Sequence, residues 1–150
     1  MNLEFKRFQR EDYPEYAAWF VDPELNRHLG PIDPAWLDAV LSQSESAGAT
    51  WAVFHEIELV AVIETVFDMK RHLPVVIAAF ATKPSLRRQG IGTMVLQQML
   101  SIHKSKGINE HVAYVSIHNF GGRRCVEKVG FVAVTTEPDQ RGYIEYRHHQ

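Results

Sequence analysis

The chain has 150 residues, enough to bury the core of a single domain. Its 16 basic and 18 acidic side chains leave a net charge of −2, which gives no basic field for nucleic acid or an anionic membrane surface. A lone cysteine, Cys125, excludes an internal disulfide and fits a reducing compartment.

Leu3 to Phe8 alternates apolar and polar residues, the pattern of a half-buried strand. Asp12 and Pro14 open a helix through Tyr16, Ala17, Trp19 and Phe20. Asp33-Pro34 opens a second, with a carboxylate at the N-cap and proline in the first turn. That helix carries Trp36, Leu37, Val40 and Leu41 and ends near Gly48. Two strands follow, Thr50 to His55 and Leu59 to Phe67, joined by the turn Glu56-Ile57-Glu58. Val75 to Thr82 is apolar at successive positions, as in a strand buried on both faces near a sheet centre.

Ile91, Met94, Val95, Met99 and Ile102 recur at helical spacing, which predicts a helix from Gly90 to Gly107 with that stripe in the core. His111 to Val115 is another strand, and Asn119 caps a short helix that closes at Gly130-Phe131. Phe131 to Thr136 and Tyr143 to Arg147 form a last hairpin around Pro138-Asp139-Gln140. The order β-α-α-β-β-β-α-β-α-β-β contains no repeat or linker, so residues 1–150 read as one mixed α/β unit.

Met1 to Arg7 lacks the apolar core of a signal peptide, and no apolar run approaches the ~20 residues of a membrane span. A cytoplasmic location without membrane contact is the expectation. The eight histidines are scattered, and no two have the His-x-x-x-His spacing that puts two ligands on one helix face, so no metal is expected.

The segment Arg87-Arg88-Gln89-Gly90-Ile91-Gly92 lies between the apolar strand and the long helix. A strand that turns tightly into a helix aims free N–H groups and the positive helix end at one spot, which makes a phosphate cradle. Glycine there lets the backbone approach a ligand closely. A Walker loop needs Gly-Lys-Ser/Thr where this chain has Gly92-Thr93-Met94, and a dinucleotide fingerprint needs a third glycine where it has Val95.

Arg-x-x-Gly-x-Gly, with Pro84 three residues ahead, resembles the pyrophosphate-binding motif of the GNAT N-acetyltransferase superfamily. Asn119, with Glu127-Lys128 and Gly130-Phe131 beyond it, is similar to a second segment of that family. The resemblance implies a single GNAT-like domain of mixed α/β (α+β) class: a mostly antiparallel sheet of about seven strands with helices on both faces. It implies acetyl-CoA as cosubstrate, held by the backbone from Leu86 to Thr93, which includes Gln89, Gly90, Ile91 and Gly92, with Arg87 and Arg88 adding charge-assisted hydrogen bonds. The strand Phe80-Ala81-Thr82 would pair with the pantetheine arm through edge atoms of Phe80 and Thr82, and Asn119 would hold the arm's far end. Family members often carry a tyrosine before Glu-Lys that protonates the leaving thiolate; here it is Val126. Tyr114, His118 or a water is left for that role, or no acid is needed. The two N-terminal helices and the link Trp19 to Leu25 would wall the acceptor pocket.

Acetyl transfer requires a neutral amine, so a base must take the proton of a group whose ordinary pKa is about 10.4. Glu64 interrupts an apolar strand beside the cofactor strand and is the first candidate. Period two puts it with Glu58 and Asp68 on one face, opposite Leu59, Ala61, Ile63 and Phe67, and a merely solvated polar face is the competing reading. Asp68 and His72 are further candidates. For Arg123, Arg124 and Lys128 the default is a solvated helix face, with a ribose phosphate contact as the alternative. Direct N-acetylation of a small-molecule or peptide amine, by a monomer or homodimer, is the resulting expectation. A non-catalytic acyl-CoA-binding module and a small nucleotide-binding domain are its rivals.

Overall fold

Alternating side chains and proline-marked helix starts set the local structure. In this computed structural model residues 1–67 and 74–150 are described. Strand β1 (Leu3–Arg7) is followed by α1 (Tyr13–Ala18), α2 (Pro23–Leu29) and α3 (Pro34–Leu41). Then come β2 (Gly48–His55), β3 (Glu58–Val66), β4 (Val75–Thr82) and α4 (Ile91–Ser105). The chain ends with β5 (Glu110–Ser116), α5 (Phe120–Val129), β6 (Val132–Ala133) and β7 (Tyr143–His149). The strands form one sheet in the order β1-β2-β3-β4-β5-β7-β6, with β4 and β5 parallel and the other described pairs antiparallel. The mixed class, the mostly antiparallel seven-stranded sheet and its two helical layers agree with the expected fold.

Each face of the sheet has its own core. Ile91, Val95, Leu96 and Met99 of α4 and Val126 of α5 pack on Val60, Ala61, Ile63 and Val115. On the other face Tyr16, Trp19, Leu25 and Leu37 from the N-terminal helices cover Ala52, Leu59, Val62 and Ala81. Tyr16 anchors this second layer, with edge-on contacts to Phe8, Trp19 and Phe20.

Several boundaries differ from the sequence reading. The first helix is α-helical only to Ala18, and a 3-10 turn takes Trp19 to Val21. A further helix, α2, follows, because Asp22 accepts the Leu25 N–H at 2.9 Å and Pro23 fills the first turn. It repeats the Asp-Pro device of Asp33-Pro34, where Asp33 accepts the Trp36 N–H. Helix α3 stops at Leu41, and Gly48 already belongs to β2. On α4, Ile91, Val95 and Met99 are buried as expected, while Ile102 is exposed, Met94 is only partly buried, and the buried stripe also takes in Leu96, Leu100 and His103. Strand β6 is only Val132–Ala133, both exposed, since it pairs with β7 alone at the sheet edge.

The β3 face assignment also changes, because Val53 pairs with Ala61 and Phe54 with Leu59, which leaves Val60 as a bulge. Leu59 thereby joins Val62 on the N-terminal helix side, while Val60, Ala61 and Ile63 face α4. Glu64, two residues beyond Val62, lies under the N-terminal helices rather than on an open polar face. Among the described residues no helix is long and apolar enough to cross a membrane.

Candidate active site

The centre of the sheet splits. Strand β4 pairs with β5 only at Val75, Val76 and Ile77, opposite His111, Val112 and Ala113. A second bulge starts the divergence: Glu64 pairs with Ala79 and Thr65 with Ile77, so Ala78 has no partner on β3. Ala78 is exposed, so β4, although central, is not buried on both faces along its length. Beyond Ala113, β5 continues with β7 through Tyr114↔Glu145, Val115↔Ile144 and Ser116↔Tyr143. A gap therefore separates the ends of β4 and β5. The Lys83 N–H donates to Val60 O at 2.9 Å. Backbone groups alternate along a strand, so Ala81 and Ala79 also turn to β3, and Phe80 and Thr82 turn theirs to the gap.

The same gap ends at the start of α4. Met94 is the first residue whose N–H finds an intrahelical acceptor, Gly90 O at 3.1 Å, and Gly90 supplies no capping side chain. The amides of Ile91, Gly92 and Thr93 thus lie ahead of the ladder. Gly90 has φ +79°, and a β-carbon there would meet nothing within 4 Å, so the backbone faces open space. Gly92 is a glycine for the opposite reason: its β-carbon would stand 3.2 Å from Cys125 Sγ and 3.5 Å from Thr82 Oγ1. Together the two positions make a loop open outward and closely packed inward. Cys125 is partly buried, and burial raises its thiol pKa, so it is no ready nucleophile.

Charge at this loop is divided. Arg87 forks onto Asp22, Nη1 to Oδ1 at 3.0 Å and Nη2 to Oδ2 at 2.7 Å, with Glu24 3.5 Å off. The Asp22 carboxyl is held below the usual range, first by that hydrogen bond and then by the Leu25 amide. Arg88 is exposed with φ +64°. At the far end of the gap Asn119 caps α5, its Oδ1 accepting the Gly122 N–H at 3.0 Å, which leaves its amide NH2 as a donor. Arg123 is partly exposed and also bonded: Nε donates to the Tyr146 hydroxyl at 3.2 Å and Nη1 to Ile117 O at 3.3 Å. Arg124 and Lys128 are exposed, as a solvated helix face requires.

Glu64 sits on β3 opposite Ala79, beside the point where β4 opens. Burial pushes its carboxyl up, and a hydrogen bond from the Trp36 side chain partly offsets this. The Tyr16 hydroxyl is raised as well, by burial first and then by the Glu64 charge, which places both groups in one microenvironment. Tyr114 is exposed on β5 and lines a cavity of about 360 Å³ with Thr135, Glu137, Asp139, Tyr143 and Glu145. Val126 is buried in the α4-side core and carries no proton to give. Asp68 and His72 lie outside the described residues. Sequence reading placed Asp22 in the link expected to wall the acceptor pocket but missed it as the partner of Arg87, and it gave Trp36 no role at Glu64.

A split parallel pair, an uncapped helix start and glycines at its first turn together make a site for an extended ligand that carries an anionic group. The acetyltransferase (GNAT) family model matches residues 4–131, and the chain belongs to that family. No curated protein matches it in sequence. Among solved structures it resembles a Salmonella typhimurium acetyl transferase that modifies the N-terminal serine of a ribosomal subunit protein, with TM-score 0.83, 14% identity and coverage of 100% of this chain and 96% of that one. Spermidine N-acetyltransferase from Vibrio cholerae, in complex with CoA and spermine, matches with TM-score 0.79, 13% identity and coverage of 99% and 94%. A domain from Methanocaldococcus jannaschii gives TM-score 0.80, 14% identity and 99% coverage of both chains. At these identities the likeness is one of fold.

Proposed function

We propose that this acetyltransferase uses acetyl-CoA and passes the acetyl group directly to an amine of a small molecule or peptide. The coincidence of free β4 edge groups and free α4 amides along one gap carries the reading. Main-chain groups of Phe80 and Thr82 would pair with the amide-like pantetheine arm as a neighbouring strand does. Amides from Arg88 to Thr93 would hold the pyrophosphate at the positive end of α4, with Arg88 as its free cation and the Asn119 amide as a donor farther along the arm. When bound, the thioester supplies the acyl group, and CoA thiol is an adequate leaving group without a dedicated acid.

Glu64 takes the proton from the incoming amine, directly or through a water. Its raised pKa suits that work, because a base closer to neutrality binds the proton better than an ordinary carboxylate. A backbone N–H near Phe80 stabilises the charge that builds on the acyl oxygen. Tyr114, His118 or a water returns a proton to the thiolate. A relative of the same fold was solved with CoA and spermine, and another acts on a protein N-terminus, which supports an amine acceptor of either kind. A cytoplasmic monomer or homodimer completes the reading, with Asp68 kept as the alternative base.

The test is CoA thiol release from acetyl-CoA over a panel of amines, for the parent and Glu64→Gln, with calorimetry of CoA against ATP. Release with at least one amine, lost in the variant while CoA still binds, supports the reading. Tight CoA binding with background release for every amine supports the non-catalytic module that Val126 favours, and preference for ATP rejects the cofactor assignment.

A further inference from the structure

Two left-handed residues within three positions, Arg88 at φ +64° and Gly90 at φ +79°, shape the loop ahead of α4, and no side chain caps it. Glycine adopts this backbone freely, but at Arg88 it persists only where surrounding contacts over-determine it. The contact comes from the motif's own first residue. Arg87 puts both prongs of its guanidinium on Asp22, and the same Asp22 carboxylate caps α2 through Leu25. The pair is shielded, with side-chain exposures of 34% for Arg87 and 22% for Asp22, unlike an open surface pair. On the other side of the turn Lys83 Nζ lies 3.5 Å from Glu15 on α1 and 3.7 Å from Glu58 on β3. The connection from β4 to α4 is thus strapped at both ends, and two of its anchors belong to the helical layer that covers Glu64.

We propose that Arg87 is a positioning residue and not a phosphate ligand: its clasp on Asp22 holds the Arg88–Thr93 amides in anion-binding geometry and fixes them relative to α2. The proposal rests on the reading of those amides as the CoA site. Only arginine offers the planar fork that Asp22 accepts, so the position tolerates no other cation.

Asp22→Asn separates the two roles by sign. It removes a negative charge near the anion site and frees Arg87, so a phosphate-ligand role makes CoA bind more tightly. A clasp makes it bind about three- to tenfold more weakly, the scale of one well-formed ion pair. Asparagine is as good an N-cap as aspartate, so loss of α2 does not confuse the result. Arg87→Lys keeps the charge but not the fork; the clasp predicts a loss close to that of Arg87→Ala, and a ligand role predicts near-parent affinity.

The second readout is amide hydrogen exchange in the free protein at Leu86, Arg87 and Met94, whose N–H groups bond Lys83 O, Pro84 O and Gly90 O around the loop, expected to quicken in both variants. Tighter CoA binding by Asp22→Asn, retained affinity in Arg87→Lys, or unchanged exchange overturns the proposal. If the parent binds no CoA, the cofactor reading fails, while the exchange comparison still decides whether the clasp holds the loop.

Discussion

The two sides of the cleft are built from different material. The β4–α4 side offers a ligand main chain: the edge of Phe80 and Thr82 and the free amides at Ile91 to Thr93. The other side offers side chains: Glu64 with Trp36 and Tyr16 under the N-terminal helices, and the exposed Tyr114 beside three carboxylates of the C-terminal segment. Main-chain sites need only a local bend and a missing Cβ, so they leave a short, readable signature. Side-chain sites are assembled from distant segments and leave none. One invariant ligand suits the first construction, and a variable acceptor suits the second.

The largest expected effect strikes the far end of the helix whose start forms the main-chain side. His103 on α4 and His111 on β5 are both buried, their ring planes 6° apart with Nδ1 and Nε2 at 2.7 Å. One ring donates and the other accepts, so a further proton sets two N–H groups against each other. His111 Nδ1 has no partner among the described residues, His148 of β7 lies directly across the sheet, and Lys106 bears on His103. Burial, then His103 and His148, lowers the His111 pKa from 6.5 to about 4, and burial lowers His103.

Above about pH 6.5 both rings are neutral whether folded or not, and the pair's contribution is intact. As the pH falls towards 4 the unfolded chain takes protons that folded His111 refuses, so stability is lost, and the loss is complete below that value. At 1.36 kcal/mol per unit the window is worth about 3 kcal/mol. Urea unfolding between pH 7.5 and 4 measures it, with His103→Leu/His111→Leu as the flatter reference. A parent curve no steeper than that of the double variant removes the histidines from the account.

Glu64→Gln comes next and sharpens the comparison, because it touches only the side-chain half. The turnover rate should fall about 100-fold, the scale of a lost general base, with CoA affinity unchanged. In the parent, kcat/KM should decline with falling pH through a midpoint above the ordinary carboxylate value of 4.5, and the variant should lack that limb. A weakened CoA affinity with intact turnover would put Glu64 on the wrong side of the cleft.

Legibility follows the same division. The strand Val75–Thr82 stood in the sequence as an apolar run, and the start of α4 and both ends of α5 because Gly90, Asn119 and Gly130 mark them locally. The bulges at Val60 and Ala78 did not, since an apolar run gives no sign of which residue will lose its partner, and they decide which face Glu64 takes and where the sheet opens. Arg87 was legible as a motif residue but not as Asp22's partner 65 positions away, because pairing at that range is a property of the fold.

Gly90→Asp reads the main-chain side directly. A β-carbon meets nothing there, so the strain is that of φ +79° alone, about 1 kcal/mol, and Gly90→Ala measures it. Aspartate adds a negative charge at the anion site, and CoA binding should weaken about 30-fold beyond the alanine variant by calorimetry. Equal affinity in the two variants would mean that no phosphate approaches this loop.

The smallest effect asks how much of the main-chain side is main chain. Arg88 is exposed and left-handed, and with Arg87 forked onto Asp22 it is the cation of the pair free to face an anion. Arg88→Asn removes the charge while keeping a residue that tolerates positive φ, so strain is not added. CoA should bind about threefold more weakly at low salt, with a shallower salt dependence, and the two proteins should converge as screening rises. If the variant keeps the parent's salt slope, the amides alone hold the anion, and the contrast with the side-chain half is complete.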